Sequence, residues 1–217
     1  MSYESRRHRM ISGQLQAHDS FNEKILHSFQ KIPREIFVPK SLKEVAYVEG
    51  ALPLSEKRKL MTPLMLAQIL KRVSLQKNHT FMIVGGGSGY SAAILSPFVE
   101  TIFLVESDKV LMREAQKNLE ALYIENVVFS ETALEEGLPQ QAPFDFILLE
   151  GGVFEVPDAF FHQLRPNGML VTCLLSTPLR GEVTLFKRED YMVHKEKIRD
   201  GSLPLLTEFS NASEFNF

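Results

Sequence analysis

The rhythm of apolar and polar positions along the 217-residue chain changes near residue 80. Before that point apolar residues recur mostly at helical spacing; beyond it, short β-rich runs alternate with helical ones. Residues 3–17 set Met10, Ile11 and Leu15 on one side among basic residues, which predicts a first helix. A second is expected after Ser20, which forms a capping-box pattern with Glu23 and leads into the stripe Ile25, Leu26 and Phe29. It stops before Pro33, and residues 34–39, held between two prolines, read as extended or turn-like. Thr62 as cap and Pro63 at the first position open a third helix, with Leu66, Ile69, Leu70 and Val73 as its buried face.

From Thr80 the order becomes strand, turn, helix, repeated. Strands are predicted at 81–84, 101–105, 126–129, 144–149 and 168–175. The first is a short continuous apolar run, as expected of a strand covered on both faces. Gly85, Gly86, Gly87, Ser88 and Gly89 turn the chain into a helix over 90–95. Ser107 is the expected cap of a longer helix, where Leu111, Ala115, Leu119 and Leu122 share one face. Another helix starts at Pro157. Residues 181–188 and 191–198 alternate about Glu189 and Asp190, which predicts a terminal antiparallel hairpin. The fold class is therefore α/β: a doubly wound, seven-stranded, mostly parallel sheet with an N-terminal helical cap and a C-terminal antiparallel hairpin. No repeat or Gly/Ser-rich linker divides the chain, so one domain is expected, with residues 1–79 as cap and 80–217 as core.

Composition narrows the function classes. Hydrophobic residues are 44% and charged residues 24%, with mean hydropathy -0.07, so a sizeable core is expected and disorder is not. A net charge of -3 and a pI near 6.1 argue against a general nucleic-acid binder. No apolar run approaches the ~18 residues of a membrane span, and the basic N-terminus has no apolar stretch behind it. A cytoplasmic protein is the expectation. The single Cys173 excludes an intramolecular disulfide and a cysteine-rich metal site, and lies in an apolar strand, where a core role is expected. The six histidines show no ligand spacing, so no metal centre is expected.

Ligands of such sheets bind beyond the carboxyl ends of the central strands. The glycine turn lies there, and glycines let a backbone turn tightly and let a ligand approach without a Cβ in the way. Its spacing, Gly85-x-Gly87-x-Gly89, is not the dinucleotide fingerprint Gly-x-Gly-x-x-Gly. Glu106, followed by Ser107, ends the second strand 17 residues after Gly89, where a carboxylate can accept hydrogen bonds from both ribose hydroxyls. The competing reading is a ligand-free corner and a solvated charge near a helix start. A nucleoside cofactor without a pyrophosphate fits both marks, and S-adenosyl-L-methionine is the candidate. Residues 56–59, Glu-Lys-Arg-Lys, read either as a basic lip for an acidic peptide or as a solvated loop. Tyr90 either packs over a cofactor or anchors its helix.

At these residues the sequence resembles the protein-L-isoaspartate O-methyltransferases, a branch of the S-adenosylmethionine-dependent methyltransferases. The resemblance runs from about Met10 to the last strand. It is carried by Ile32-Pro-Arg-Glu-Ile-Phe-Val-Pro39, Ala46-Tyr47 with Leu52-Pro53, Gly85-x-Gly-Ser-Gly-Tyr-Ser-Ala-Ala93, Asn126-Val127, Ala142-Pro-Phe-Asp145 and Gln163-Leu164-x-x-x-Gly168-x-Leu-Val171. The tail Phe215-Asn-Phe217 is similar to that of a short bacterial subgroup. The resemblance implies methylation of a carboxylate, in isoaspartyl-containing protein or a related substrate. It implies a cofactor site of Gly85, Gly86, Gly87, Ser88, Gly89, Glu106 and Ser107, bordered by Ala133 and Leu134, and a substrate side at Leu60, Met61 and Thr62.

The chain departs from the family pattern where the chemistry lies. Ile83 stands where an acid is usual in the first strand. Thr132, Ala133 and Leu134 stand where Gly-Asp-Gly is usual, with Glu131 as a neighbouring substitute two positions out of register. Lys59, Leu60 and Met61 replace a Thr-Ile-Ser loop, and Met61 offers no hydrogen bond to a substrate carboxylate. Each lost charged hydrogen bond to a ligand removes roughly 1.5–3 kcal/mol, about one to two decades of affinity. The alternative reading is a divergent member without catalysis that acts as a binding or interaction module.

Overall fold

In the computed structural model, which describes residues 1–190 and 192–209, the chain before residue 80 forms a layer of helices against one face of a sheet. Helix α1 (Tyr3–Met10) is capped by Ser2 and runs into a π-helical turn, Ile11–Leu15, burying Met10, Ile11 and Leu15 as the spacing predicts. Helix α2 (Glu23–Lys31) is capped by Asn22, whose side chain accepts from the Lys24 N–H, and not by Ser20. Ser20 lies two residues too early; its own N–H is bonded to Asp19 Oδ1. After a 3₁₀ turn at Arg34–Ile36 comes a small antiparallel hairpin, β1 (Leu52–Pro53) and β2 (Lys59–Leu60), that the apolar pattern did not announce. Helix α3 (Pro63–Arg72) opens as expected, with Thr62 Oγ1 accepting from the Met65 N–H at 3.1 Å.

The second part supplies β3 (Thr80–Val84), α4 (Tyr90–Leu95), β4 (Thr101–Val105), α5 (Lys109–Ala121), β5 (Val127–Ser130), β6 (Phe144–Val153), α6 (Asp158–His162), β7 (Leu164–Thr177), β8 (Arg180–Glu189) and β9 (Met192–Asp200). The seven-stranded sheet has the order β5-β4-β3-β6-β7-β8-β9. Pairings from β5 to β7 are parallel, and β7–β8 and β8–β9 are antiparallel. Helix α5 is capped by Asp108, which accepts from the Val110 and Leu111 N–H groups, leaving the adjacent Ser107 free for another task. The aromatic tail 215–217 lies outside the described residues.

Two apolar layers sandwich the sheet. Phe29, Phe37, Leu66 and Ile69 of the first part pack with Ile83, Ile94, Leu104 and Phe146 on one face. Met82, Val84, Ile147, Leu149 and Phe160 pack on the other, and Leu206 joins them from beyond β9. Val84, at the end of β3, is flanked by Val105 and Leu149. The chain leaves β3 toward β4 and β5 on one side and returns with β6 on the other. That reversal opens a crevice outside the carboxyl ends of β3, β4 and β6, where ligands of such sheets bind.

Candidate functional site

The corner after β3 has the conformation its glycines permit: Gly85, Gly87 and Gly89 adopt φ of +72°, +54° and +90°, a region costly for residues with a Cβ. Ser88 is buried in the same turn, where its hydroxyl donates to Phe37 O at 2.6 Å and ties the turn to the helical layer. Gly86 packs against Leu104 and Ile83. Glu106 stands at the end of β4, fully buried beside this corner. The turn and the acid are thus brought together, as the spacing anticipates.

What faces them was not anticipated. Arg58, on the turn between β1 and β2, is buried and projects inward. Its Nε lies 3.2 and 3.1 Å from the two Glu106 oxygens, and its Nη2 lies 3.1 Å from Oε1. The Gly87 N–H donates to Oε2 and the Asp108 N–H to Oε1, each at 3.0 Å. Arg58 Nη2 also donates to Glu208 Oε1 at 2.9 Å and to Ser107 Oγ at 3.2 Å, and Ser107 donates to Glu208 Oε1 at 3.1 Å. Burial by itself would lower the Arg58 pKa, but Glu208 and Glu106 outweigh it and hold the guanidinium above its usual range. Burial pushes Glu208 upward, and Arg58 reverses that to leave it below the usual carboxylate range.

Apolar side chains lie close against the glycines. A Cβ placed at Gly85 would lie 3.2 Å from Leu206 Cδ2 and 3.8 Å from Arg58 Nε. One at Gly87 would lie 2.8 Å from Leu54 Cδ1, and one at Gly151 would overlap Leu206. Leu134 is buried against the same corner, 3.7 Å from that Cβ position at Gly85. The residues as they stand do not fit a nucleoside cofactor: the carboxylate meant for a ribose diol is saturated, and leucines cover the glycines.

Several expectations are corrected here. Arg58 is not part of a basic lip, because two carboxylates draw it inward, while Glu56, Lys57 and Lys59 stay exposed. Leu60 and Met61 are each only 1% exposed and line no open face; Met61 presents its carbonyl to Arg34. Thr62 is occupied as the α3 cap. Glu131 is exposed and pairs with Lys109 at 3.0 Å, so it substitutes for no missing acid, and Ala133 is exposed. Ile83 packs in the core between Leu104 and Leu148. Tyr90 anchors its helix, edge-on to Phe29 and Phe37.

A second buried polar group adjoins this edge, and the sequence reading missed it. Arg34 donates to Ala46 O at 2.8 Å and Met61 O at 2.7 Å, with its guanidinium carbon 4.7 Å from the Tyr90 ring centroid. Glu150, near the end of β6, accepts from Ser91 Oγ at 2.8 Å. Burial pushes its carboxyl up to about 8, partly offset by Ser91 and Arg34. One signal was legible: a lone acid closing the apolar run 146–149. Among the described residues no group of His, Cys, Asp or Glu could hold a metal ion.

The family model described as Protein-L-isoaspartate(D-aspartate) O-methyltransferase matches residues 5–203. The protein-L-isoaspartate O-methyltransferase of Trichlorobacter lovleyi is 33% identical over 171 residues, covering 79% of each chain. That of Petrotoga mobilis is 29% identical over 212 residues, covering 96% of this chain and 99% of its own. A solved protein-L-isoaspartate O-methyltransferase superposes with a TM-score of 0.78 at 26% identity over 94% of this chain, which spans 65% of that chain's length. A Plasmodium falciparum chain assigned to the same family and solved with S-adenosyl-L-homocysteine gives a TM-score of 0.79 at 17% identity, covering 96% and 99%, and shows the shared fold. With its family model matched over nearly the whole described length, the chain belongs to the protein-L-isoaspartate O-methyltransferase family, within the S-adenosylmethionine-dependent carboxyl methyltransferases.

Proposed function

We propose that the chain methylates a carboxylate on a protein in the cytoplasm, with isoaspartyl residues of damaged protein as the substrate class. The observation that carries this reading is the meeting of the positive-φ glycine turn with Glu106 at the sheet's switch point. The chemistry asks little of acid–base groups. A carboxylate is already a nucleophile at neutral pH, and the protein's contribution is alignment, which lowers the entropic part of the barrier. The test is transfer of labelled methyl from S-adenosylmethionine to an isoaspartyl peptide, with the aspartyl peptide of identical sequence as control. Base-labile label on the isoaspartyl peptide alone is expected. Label on neither peptide would sink this reading.

The saturated Glu106 favours a second reading, a family member that binds partners without catalysis. Under it, no form of the chain transfers methyl to either peptide.

A further inference from the structure

We infer that residues 203–209, together with Arg58, occupy the space a nucleoside would need, so that seating of this segment and binding of a ligand at the glycine turn exclude one another. Bare glycines at the carboxyl ends of central strands leave room for a ligand. Here Leu206, 1% exposed, takes that room at Gly85 and Gly151, and Leu54 takes it at Gly87. Both Glu106 oxygens are spent on Arg58 and on two backbone N–H groups. A ribose diol can reach that carboxylate only if Arg58 leaves.

The segment and Arg58 form one unit. Glu208 bridges them by accepting from Arg58 at 2.9 Å and from Ser107 at 3.1 Å. The backbone of the segment is held to β6 by Leu206 N–H to Gly152 O and Gly152 N–H to Pro204 O, each 2.8 Å. Phe209 rests 5.7 Å from Phe160, ring centre to ring centre. A short segment held, among the described residues, largely by side chains and two ladder bonds is the kind of unit that opens below the free energy of global unfolding. The arithmetic of such competition is simple: a segment seated about 99% of the time weakens apparent ligand affinity about 100-fold.

The inference rests on the functional reading above for its ligand. S-adenosylhomocysteine is titrated calorimetrically into the full chain, into Glu208→Ala and into Leu206→Ala, and amide exchange at Leu206 and Gly152 is followed with and without it. Affinity at least ~10-fold tighter in the variants than in the native chain is expected, with faster exchange of those two amides on binding. Equal affinity in all three forms with both amides still protected would overturn the inference, and so would no binding to any form. Should Leu206→Ala lose cooperative folding, Glu208→Ala carries the test, because that side chain is partly exposed and fills no core space. Methyl transfer is read separately. Variants that bind but transfer no methyl keep the exclusion and remove the enzyme reading. Native transfer at the variants' rate keeps the enzyme and removes the exclusion.

Discussion

Arg34 and Arg58 are both buried, 0% and 2% exposed, yet their surroundings are opposite. Among the described residues Arg34 has no carboxylate in contact; it is held by two backbone carbonyls and lies over the Tyr90 ring. Burial dominates there and drives its pKa down. Arg58 has two carboxylates, which more than offset the same penalty. The carbonyls that hold Arg34 belong to the 46–61 stretch, so this cation staples loop to loop in a way no ligand would replace. The partner of Arg58 is a carboxylate at the mouth of the sheet, where a neutral diol could take its place. A buried cation bonded to backbone is architecture; one bonded to a site carboxylate is an occupant.

The comparison can be broken in order of expected effect. Arg34→Ala should cost most, roughly 3–5 kcal/mol, because it leaves a cavity and two buried carbonyls without donors. The urea midpoint measures this, and a loss below about 1 kcal/mol would remove the architectural role. Arg58→Met should cost about 3 kcal/mol by the same measurement, the low end for removing one partner of a buried pair, since Glu106 keeps two backbone donors and Glu208 is partly exposed. It should also tighten S-adenosylhomocysteine binding, whereas Arg34→Ala should not.

Glu150, which feels both Arg34 and Glu106, sharpens the picture through pH. Its folded pKa of about 8 lies above the ordinary carboxyl value, so the folded state holds a proton that the unfolded chain releases. Its contribution is therefore fully present below about pH 4 and is lost as pH rises to about 8, by on the order of 1 kcal/mol per unit. Glu150→Gln keeps an acceptor for Ser91 and should flatten that slope, gaining stability at pH 8 relative to the native chain. Denaturation at pH 5, 6.5 and 8 gives the answer. The smallest effect is expected at Glu131→Ala, within about 0.5 kcal/mol, because its pair with Lys109 is exposed on both sides.

The pattern of the chain made the sheet legible because β3 and its neighbours are short apolar runs punctuated by glycine and capping residues. Boundaries slipped where two capping residues lie close together: Asn22 displaced Ser20 and Asp108 displaced Ser107, since whichever side chain reaches the first free N–H groups wins. The glycine turn and Glu106 were readable for the same local reason. Arg58 was not. Its partners lie 48 and 150 positions away, and a charge run such as 56–59 looks solvated until long-range folding supplies carboxylates. The segment 203–209 was equally silent, because no period of 2 or 3.6 marks a stretch ordered mainly by long-range contacts with β6 and Arg58.

The one thiol of the chain sits under the root of that stretch. The Cys173 thiol donates to Gly201 O at 3.3 Å and is walled in beside Gly181, and burial raises its pKa. A sulfhydryl reagent can reach it only when the chain around residue 201 lifts. The rate of its modification is therefore a stopwatch, already built into the native protein, for how often the chain around residue 201 lifts from the sheet.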